Sequence, residues 1–192
     1  MQVTLDGYSR GPAGEAHWVD SWADGLDLLP PIDACVLGGG MFPDYEQFWT
    51  TILDAPRAAA EMLGRAVYPR ETAWAHRAPE TPHLVVSRTL TGATLPSARM
   101  VPDLDAVRAL KAEPGGTIYA IGGPGLLTSL VDAGLLDELH LLVHPVVTGG
   151  GTALLGGLKE RRDLGIVSAE PLPAGRLHLA YRLGATTAPA RD

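Results

Sequence analysis

The segment 117–146, TIYAIGGPGLLTSLVDAGLLDELHLLVHPV, limits what this chain can fold into more than any other stretch. An apolar run of strand composition ends in Gly122-Gly123, and Pro124 stands where a helix would open. Leu126, Leu127, Leu130 and Val131 then recur at helical spacing until Gly134, after which a second apolar run follows. Strand, helix, strand in that order predicts a right-handed parallel crossover, and hence an α/β sheet with helices on its faces.

The rest of the chain extends that pattern. DACVLGG reads as a strand buried on both faces, ended by glycine. Tyr45, Phe48, Trp49, Ile52 and Leu53 form one apolar stripe of a helix, with Asp44 and Gln47 spaced as a capping box. Residues 54–81, with prolines at 56, 69 and 79, read as a helical excursion rather than a second domain. Runs at 83–90 and 98–101 predict strands, and Asp103 caps a helix that Pro114-Gly115-Gly116 ends. Trp18, Trp22 and Leu26 lie four apart, which predicts one or two helical turns carrying Asp20, Asp24 and Asp27. MQVTLDGY predicts a short, clipped first strand that turns at Asp6-Gly7. LGIVSAEPL and RLHLAYRL, joined by Pro-Ala-Gly, predict a closing antiparallel hairpin, so the sheet is mixed. The 192 residues therefore read as a single domain over 1–183 with a flexible tail at 184–192.

Composition excludes several classes. A net charge of −7 with no clustered basic face argues against nucleic acid. No apolar segment approaches the roughly 20 residues of a membrane span, and no secretory signal opens the chain, so it reads as a cytoplasmic protein. Cys35 is the only cysteine and reads as core filler. His140 and His144 alternate on one strand without a carboxylate or thiol set beside them, so no metal site is expected. No Gly-x-Ser-x-Gly elbow offers a nucleophile for acyl transfer.

Open α/β sheets bind ligands at the carboxyl ends of their strands. Three such ends carry suitable residues: Gly38, Gly39 and Gly40; Ser87, Arg88 and Thr89; and Gly122, Gly123 and Gly125. Glycines opening a helix leave backbone N–H groups and the positive end of the helix dipole facing a ligand, which favours a pyrophosphate. By itself GGPG fits either that cradle or a plain strand-to-helix turn. Two hydroxyls and a guanidinium suit a terminal phosphate such as the 2′-phosphate of NADPH. The glycine spacing does not match the dinucleotide fingerprint, so a conventional Rossmann domain is not expected. VVTGGGTALL reads as a turn or bulge rather than a binding loop.

Taken in order, VTLDGYSRGPAGE, ACVLGGGMFPDYEQFW, HLVVSRTL and the block from Lys111 to Leu155 resemble the dihydrofolate reductase-like superfamily. They are most similar to proteins resembling the C-terminal reductase domain of bifunctional riboflavin-biosynthesis deaminase/reductases. The similarity spans residues 2–183, and GG-x-x-L-x-x-x-L-x-x-x-G-L-x-D-E-L followed by HPVVTGGG is its most specific part. It implies an NADPH-dependent oxidoreductase, a homodimer, acting on a small molecule. It implies that Gly122, Gly123, Pro124, Gly125, Leu126 and Leu127 meet the cofactor's diphosphate and nicotinamide side. Ser87, Arg88 and Thr89 would take the adenosine phosphate, and Gly38, Gly39, Gly40 and Met41 the second phosphate-binding helix start. Thr4, Asp6 and Gly7 would lie beside nicotinamide and substrate. Asp24, Asp20 and Asp6 become the carboxylate candidates for proton donation, with Tyr45 and Tyr8 as further candidates; Met41 and Tyr45 could form part of an apolar wall. Two departures stand out: Gly39 replaces an arginine common in relatives, and Tyr8 replaces a lysine common in riboflavin-pathway enzymes, which argues against their phosphorylated substrate. The expected reaction is hydride transfer to a C=N, C=C or C=O bond. The alternatives are a non-catalytic cofactor-binding or regulatory dimer, and a reductase using a flavin or deazaflavin.

Overall fold

The apolar run ending at Gly38 becomes the strand around which the middle of the chain is organised in the computed structural model, which describes residues 1–184. In chain order the elements are β1 (Gln2–Thr4), β2 (Tyr8–Arg10), β3 (Ile32–Gly38), α1 (Phe42–Asp54), α2 (Pro56–Leu63), α3 (Pro69–Arg77), β4 (His83–Val86), β5 (Ala98–Val101), α4 (Asp105–Ala112), β6 (Thr117–Ile121), α5 (Pro124–Asp132), β7 (Glu138–His144), β8 (Thr152–Ala153), β9 (Leu164–Leu172) and β10 (Arg176–Leu183). The fold is α/β with C-terminal antiparallel strands, as the sequence predicts. The described chain divides into two compact units, one from 20–122 and one from 1–19 together with the chain from Gly123 onward. Beyond Gly184, the predicted tail lies outside the described residues.

In the middle unit the strands are all parallel, in the order β5-β4-β3-β6. Parallel neighbours on both sides explain why β3 is nearly continuous in apolar residues. Cys35, Leu37 and Val85 join one core with Phe42, Tyr45, Trp49 and Ile52 of α1 and Trp74 of α3. Each buried aromatic or branched side chain contributes about 1.5–3 kcal/mol, so packing, rather than a cap, holds α1 in place. The predicted Asp44–Gln47 box is not formed: Met41 is the N-cap, without a side-chain bond, and Asp44 lies inside the first turn.

The predicted helical turns around Trp18–Leu26 are not formed either. Residues 22–25 are a turn, followed by a short 3₁₀ segment at Leu26–Leu28. Gly25 is left-handed (φ 92°), which interrupts the helical path. The segment is tied down from afar: Arg65 donates to the carbonyl of Asp20 at 2.6 Å, and Arg70 pairs with Asp24 at 2.6 Å. Tertiary partners override the local spacing.

In the other unit, β1-β7-β10-β9 forms one sheet, with β1 parallel to β7 and the β9–β10 hairpin antiparallel. Val3, Leu127, Val131, Leu139, Val143 and Leu154 make its core, so α5 buries its stripe against β1 and β7. β2 and β8 form a two-residue bridge that residue type alone did not indicate. The predicted crossover is corrected: β6 pairs with β3, while β7 pairs with β1 and β10, so the two strands flanking α5 belong to different sheets. Periodicity identifies the elements but not the edge each one joins. No helix among the described residues is long and apolar enough to cross a membrane.

Candidate functional site

Because β3, β4 and β6 are parallel, their carboxyl ends share one edge of the middle unit. The chain leaves β3 for β4 and β5 on one side, then returns to β6 on the other. This reversal is a topological switch point, the place where open α/β sheets bind ligands. Gly38, Gly39, Gly40 and Met41 leave β3 there, Ser87, Arg88 and Thr89 leave β4, and Gly122 leaves β6. The register sets Gly38 beside Val86 and Leu37 beside Ile121, so the structure brings these three exits together.

The exits of β3 and β4 touch. Gly39 N–H donates to the Val86 carbonyl at 3.0 Å, and a Cβ on Gly39 would lie 2.6 Å from both Cβ and Oγ of Ser87. A side chain at 39, arginine included, therefore requires Ser87 to move. Gly40 instead faces open space. Ser87 Oγ accepts the N–H groups of Thr89 (3.3 Å) and Leu90 (3.0 Å), a turn that leaves Arg88 and Thr89 exposed.

Both glycine-led helices start without a side-chain cap, and each has proline in its first turn. Their N-cap residues thus offer no side-chain oxygen to the first backbone N–H groups, although α1 carries Asp44 in its first turn. Gly123 and Gly125 face open space where a Cβ would sit. Gly123, Pro124, Gly125, Leu126 and Leu127 belong to the unit that carries the chain's two ends. Leu127 is buried in that unit's core, so only its backbone is left to meet a ligand. Within the middle unit, an uncapped helix start, the open Gly40 position and a Ser-Arg-Thr turn share one edge that suits a phosphate group.

Three of the proton-donor candidates, Asp24, Asp6 and Tyr45, are engaged elsewhere. Asp24 has a side chain 8% exposed and is salt-bridged to Arg70, and it stands on a turn rather than a helix. Asp6 accepts the Thr4 hydroxyl at 2.6 Å and the N–H groups of Gly149 (2.8 Å) and Thr148 (3.2 Å). The Thr4 hydrogen bond foremost, with those two amides, holds its carboxyl below the usual range, which favours the carboxylate over a form that carries a proton to give. Tyr45 is not at the site but in the core, where its hydroxyl lies 2.8 Å from His83 Nε2 and accepts from Trp74 Nε1 at 3.0 Å. Burial pushes its phenol well above the usual range. The glycines after Thr148 are structural: Gly149 is left-handed, and a Cβ on Gly151 (φ 122°) would strike the backbone of Arg10 and Gly11.

Local reading missed two carboxylates. Glu71, fully buried, accepts from Arg65 (2.8 and 3.0 Å), Ser21 (2.7 Å) and the Tyr68 amide (2.9 Å). Glu46 on α1 accepts the backbone N–H groups of Thr94 and Leu95, each at 2.6 Å. Glu71 had a local signal, three residues after the Tyr68 that precedes α3 and six after Arg65, whereas the partners of Glu46 lie 48 and 49 positions away. Among the described residues no group of three or more His, Cys, Asp or Glu side chains could hold a metal ion. His140 Nδ1 instead faces His178 Nε2 at 3.1 Å across β7 and β10.

Proteins similar to this chain include an uncharacterised relative and solved structures of the riboflavin-biosynthesis type. The chain is 31% identical over 185 residues to the uncharacterized protein YyaP of Bacillus subtilis strain 168, covering 94% of this chain and 91% of that one. A putative riboflavin biosynthesis protein from Shewanella sp. PV-4 superposes with a TM-score of 0.67 at 19% identity, over 96% of each chain. A diaminohydroxyphosphoribosylaminopyrimidine deaminase/5-amino-6-(5-phosphoribosylamino)uracil reductase from Thermotoga maritima gives 0.59 at 14% identity, over 95% of this chain and 55% of its own. At such identities these two show the fold alone, and the chain spans about half of the latter. The family model described as the RibD C-terminal domain matches residues 1–177, and with the YyaP similarity this settles the membership: the chain belongs to the RibD C-terminal domain family, which points to an oxidoreductase.

Proposed function

We propose that the chain is an NADPH-dependent reductase, one domain over 1–183, that delivers hydride to a C=N, C=C or C=O bond of a small substrate. The observation that carries this reading is the switch-point edge, where Gly38–Gly40 and the Ser87-Arg88-Thr89 turn adjoin. When bound, NADPH would supply the hydride from C4 of its nicotinamide. Arg88, with the Ser87 and Thr89 hydroxyls, would hold the 2′-phosphate, since a guanidinium and hydroxyls match its oxygens. The uncapped start of α1 would hold a phosphate of the cofactor through backbone N–H groups. That Asp6, Asp24 and Tyr45 are committed to other partners favours water as the source of the proton at the accepting atom. The reductase description of the Thermotoga relative supports the reaction class.

The first experiment is NADPH titration, followed by fluorescence quenching and thermal shift. Oxidation of NADPH by a panel of imines, enones and pterins then tests turnover. Binding with turnover is expected. Binding without turnover across the panel would make the chain a cofactor-binding protein. Stabilisation by a flavin or deazaflavin but not by NADPH would refute the cofactor assignment. We also propose a homodimer: β9 is an outer strand with Ile166 and Val167 exposed, the kind of edge proteins protect by pairing. Sedimentation velocity of the native chain and of Ile166→Lys tests it, and a wild-type monomer would overturn it.

A further inference from the structure

The loop between β4 and β5 carries Arg88 near its start, and its far end is held by a side chain from another element. Glu46 stands on the second turn of α1, the helix that opens at the β3 exit. Its Oε1 accepts the N–H groups of Thr94 and Leu95 at 2.6 Å each, short charge-assisted bonds. Leu95 is 3% exposed and sits in the core, with Leu90 packed against the same cluster. Ser87 Oγ closes the near end of the loop. Arg88, Thr89 and residues 91–94 are exposed between these fastenings.

We infer that Glu46 is a positioning residue for Arg88: by fastening the β4–β5 loop to α1, it sets the discrimination between NADPH and NADH. The inference rests on the NADPH reading and names the residue through which that edge recognises the 2′-phosphate. Without the carboxylate, two backbone donors lose their acceptor, and the part-buried one at Leu95 is satisfied only if the loop opens to water. A loosened loop spreads Arg88 over many positions, and ordering it on binding weakens affinity. If Glu46 acted only through its charge, the sign would be opposite, because removing an anion beside a phosphate site strengthens binding.

The test is calorimetric titration of NADPH and NADH into wild type, Glu46→Ala, Glu46→Gln, Arg88→Ala and the Glu46→Ala/Arg88→Ala double variant. Glu46→Ala should weaken NADPH about tenfold, the factor given by one hydrogen bond of ordinary net strength, and NADH by less than about twofold. Glu46→Gln, which keeps an acceptor, should fall between, and it carries the comparison if Glu46→Ala does not fold. In the Arg88→Ala background the Glu46 substitution should add nothing. Equal losses for both cofactors, tighter NADPH binding, or additive losses in the double variant would overturn the inference. Wild type binding neither cofactor overturns the NADPH reading itself. Binding that Arg88→Ala weakens and Glu46→Ala leaves unchanged overturns only the role of Glu46.

Discussion

Gly39→Ala tests the packing of the candidate site with one methyl group. The added Cβ would lie 2.6 Å from Cβ and Oγ of Ser87, where ordinary contacts fall at 3.4–4 Å, so something must shift by about 1 Å. If the β3 exit moves, the change is an overpacking of about 1–3 kcal/mol. If Ser87 swings away instead, its hydroxyl abandons the Thr89 and Leu90 amides, at about 0.5–1.5 kcal/mol each. Either route predicts a loss of about 2 kcal/mol, or a melting temperature lower by about 4–8 °C for a chain of this size. Denaturant unfolding measures it, and a cycle with Ser87→Gly identifies the cause. Ser87→Ala keeps the offending Cβ and should not rescue Gly39→Ala, whereas Ser87→Gly removes it and should restore at least 1 kcal/mol, about the coupling expected of touching residues. An additive cycle, or a Gly39→Ala variant as stable as wild type, would refute the reasoning.

Asp24→Asn and Tyr45→Phe should lower turnover by less than about tenfold, against the 10²–10⁴ lost with a true general acid, while both lower the melting temperature. Steady-state NADPH oxidation and thermal unfolding of each variant check this, and a collapse of kcat with unchanged stability would restore either residue as a catalyst. Burial would raise Glu71, but hydrogen bonds from Arg65 and Ser21 outweigh it and hold the carboxyl below its ordinary value. Its stabilisation is therefore present above about pH 4.5 and lost as pH falls through the folded value. Glu71→Gln, by leaving Arg65 partly uncompensated, should cost about 3 kcal/mol at neutral pH and flatten the acid limb of the stability–pH curve. Asp6→Asn should remove hydrogen-exchange protection from the Thr148 and Gly149 amides, leaving those of β10 unchanged. Gly151→Ala should fail to accumulate as folded protein, since its φ and the backbone of Arg10 and Gly11 both exclude a side chain.

Elements with strong periodicity were legible in the sequence. The stripe of α1, the glycine-ended β3, the Pro124 start of α5 and the β9–β10 hairpin all stand where spacing and turn residues place them. What failed shares one physical cause. Trp18, Trp22 and Leu26 are spaced for a helix, yet Arg65 and Arg70 hold that segment in turns from 45 residues or so away. Strand, helix, strand at 117–144 is present, but strand pairing is decided by neighbours that the local pattern does not record, so β6 and β7 join different sheets.

The candidate site divides the same way. Backbone features are local: a glycine that ends a strand, a proline that opens a helix and a Ser-x-Thr turn are properties of adjacent residues, so the edge proposed to bind the cofactor was visible in the sequence. Proton donors are not local, because whether a carboxyl can give up a proton depends on what else it touches. Asp6 is one turn from β1 in sequence, yet it is kept ionised by Thr4 together with amides some 142 positions along the chain. Asp24 meets its arginine across 46 positions, and Tyr45 meets His83 across 38. Glu46 is equally invisible to spacing, since its partners Thr94 and Leu95 are backbone groups that carry no residue signature. Acid–base roles in this fold therefore follow from tertiary hydrogen bonding, and a carboxylate with its acceptor sites filled is an anchor before it is an acid.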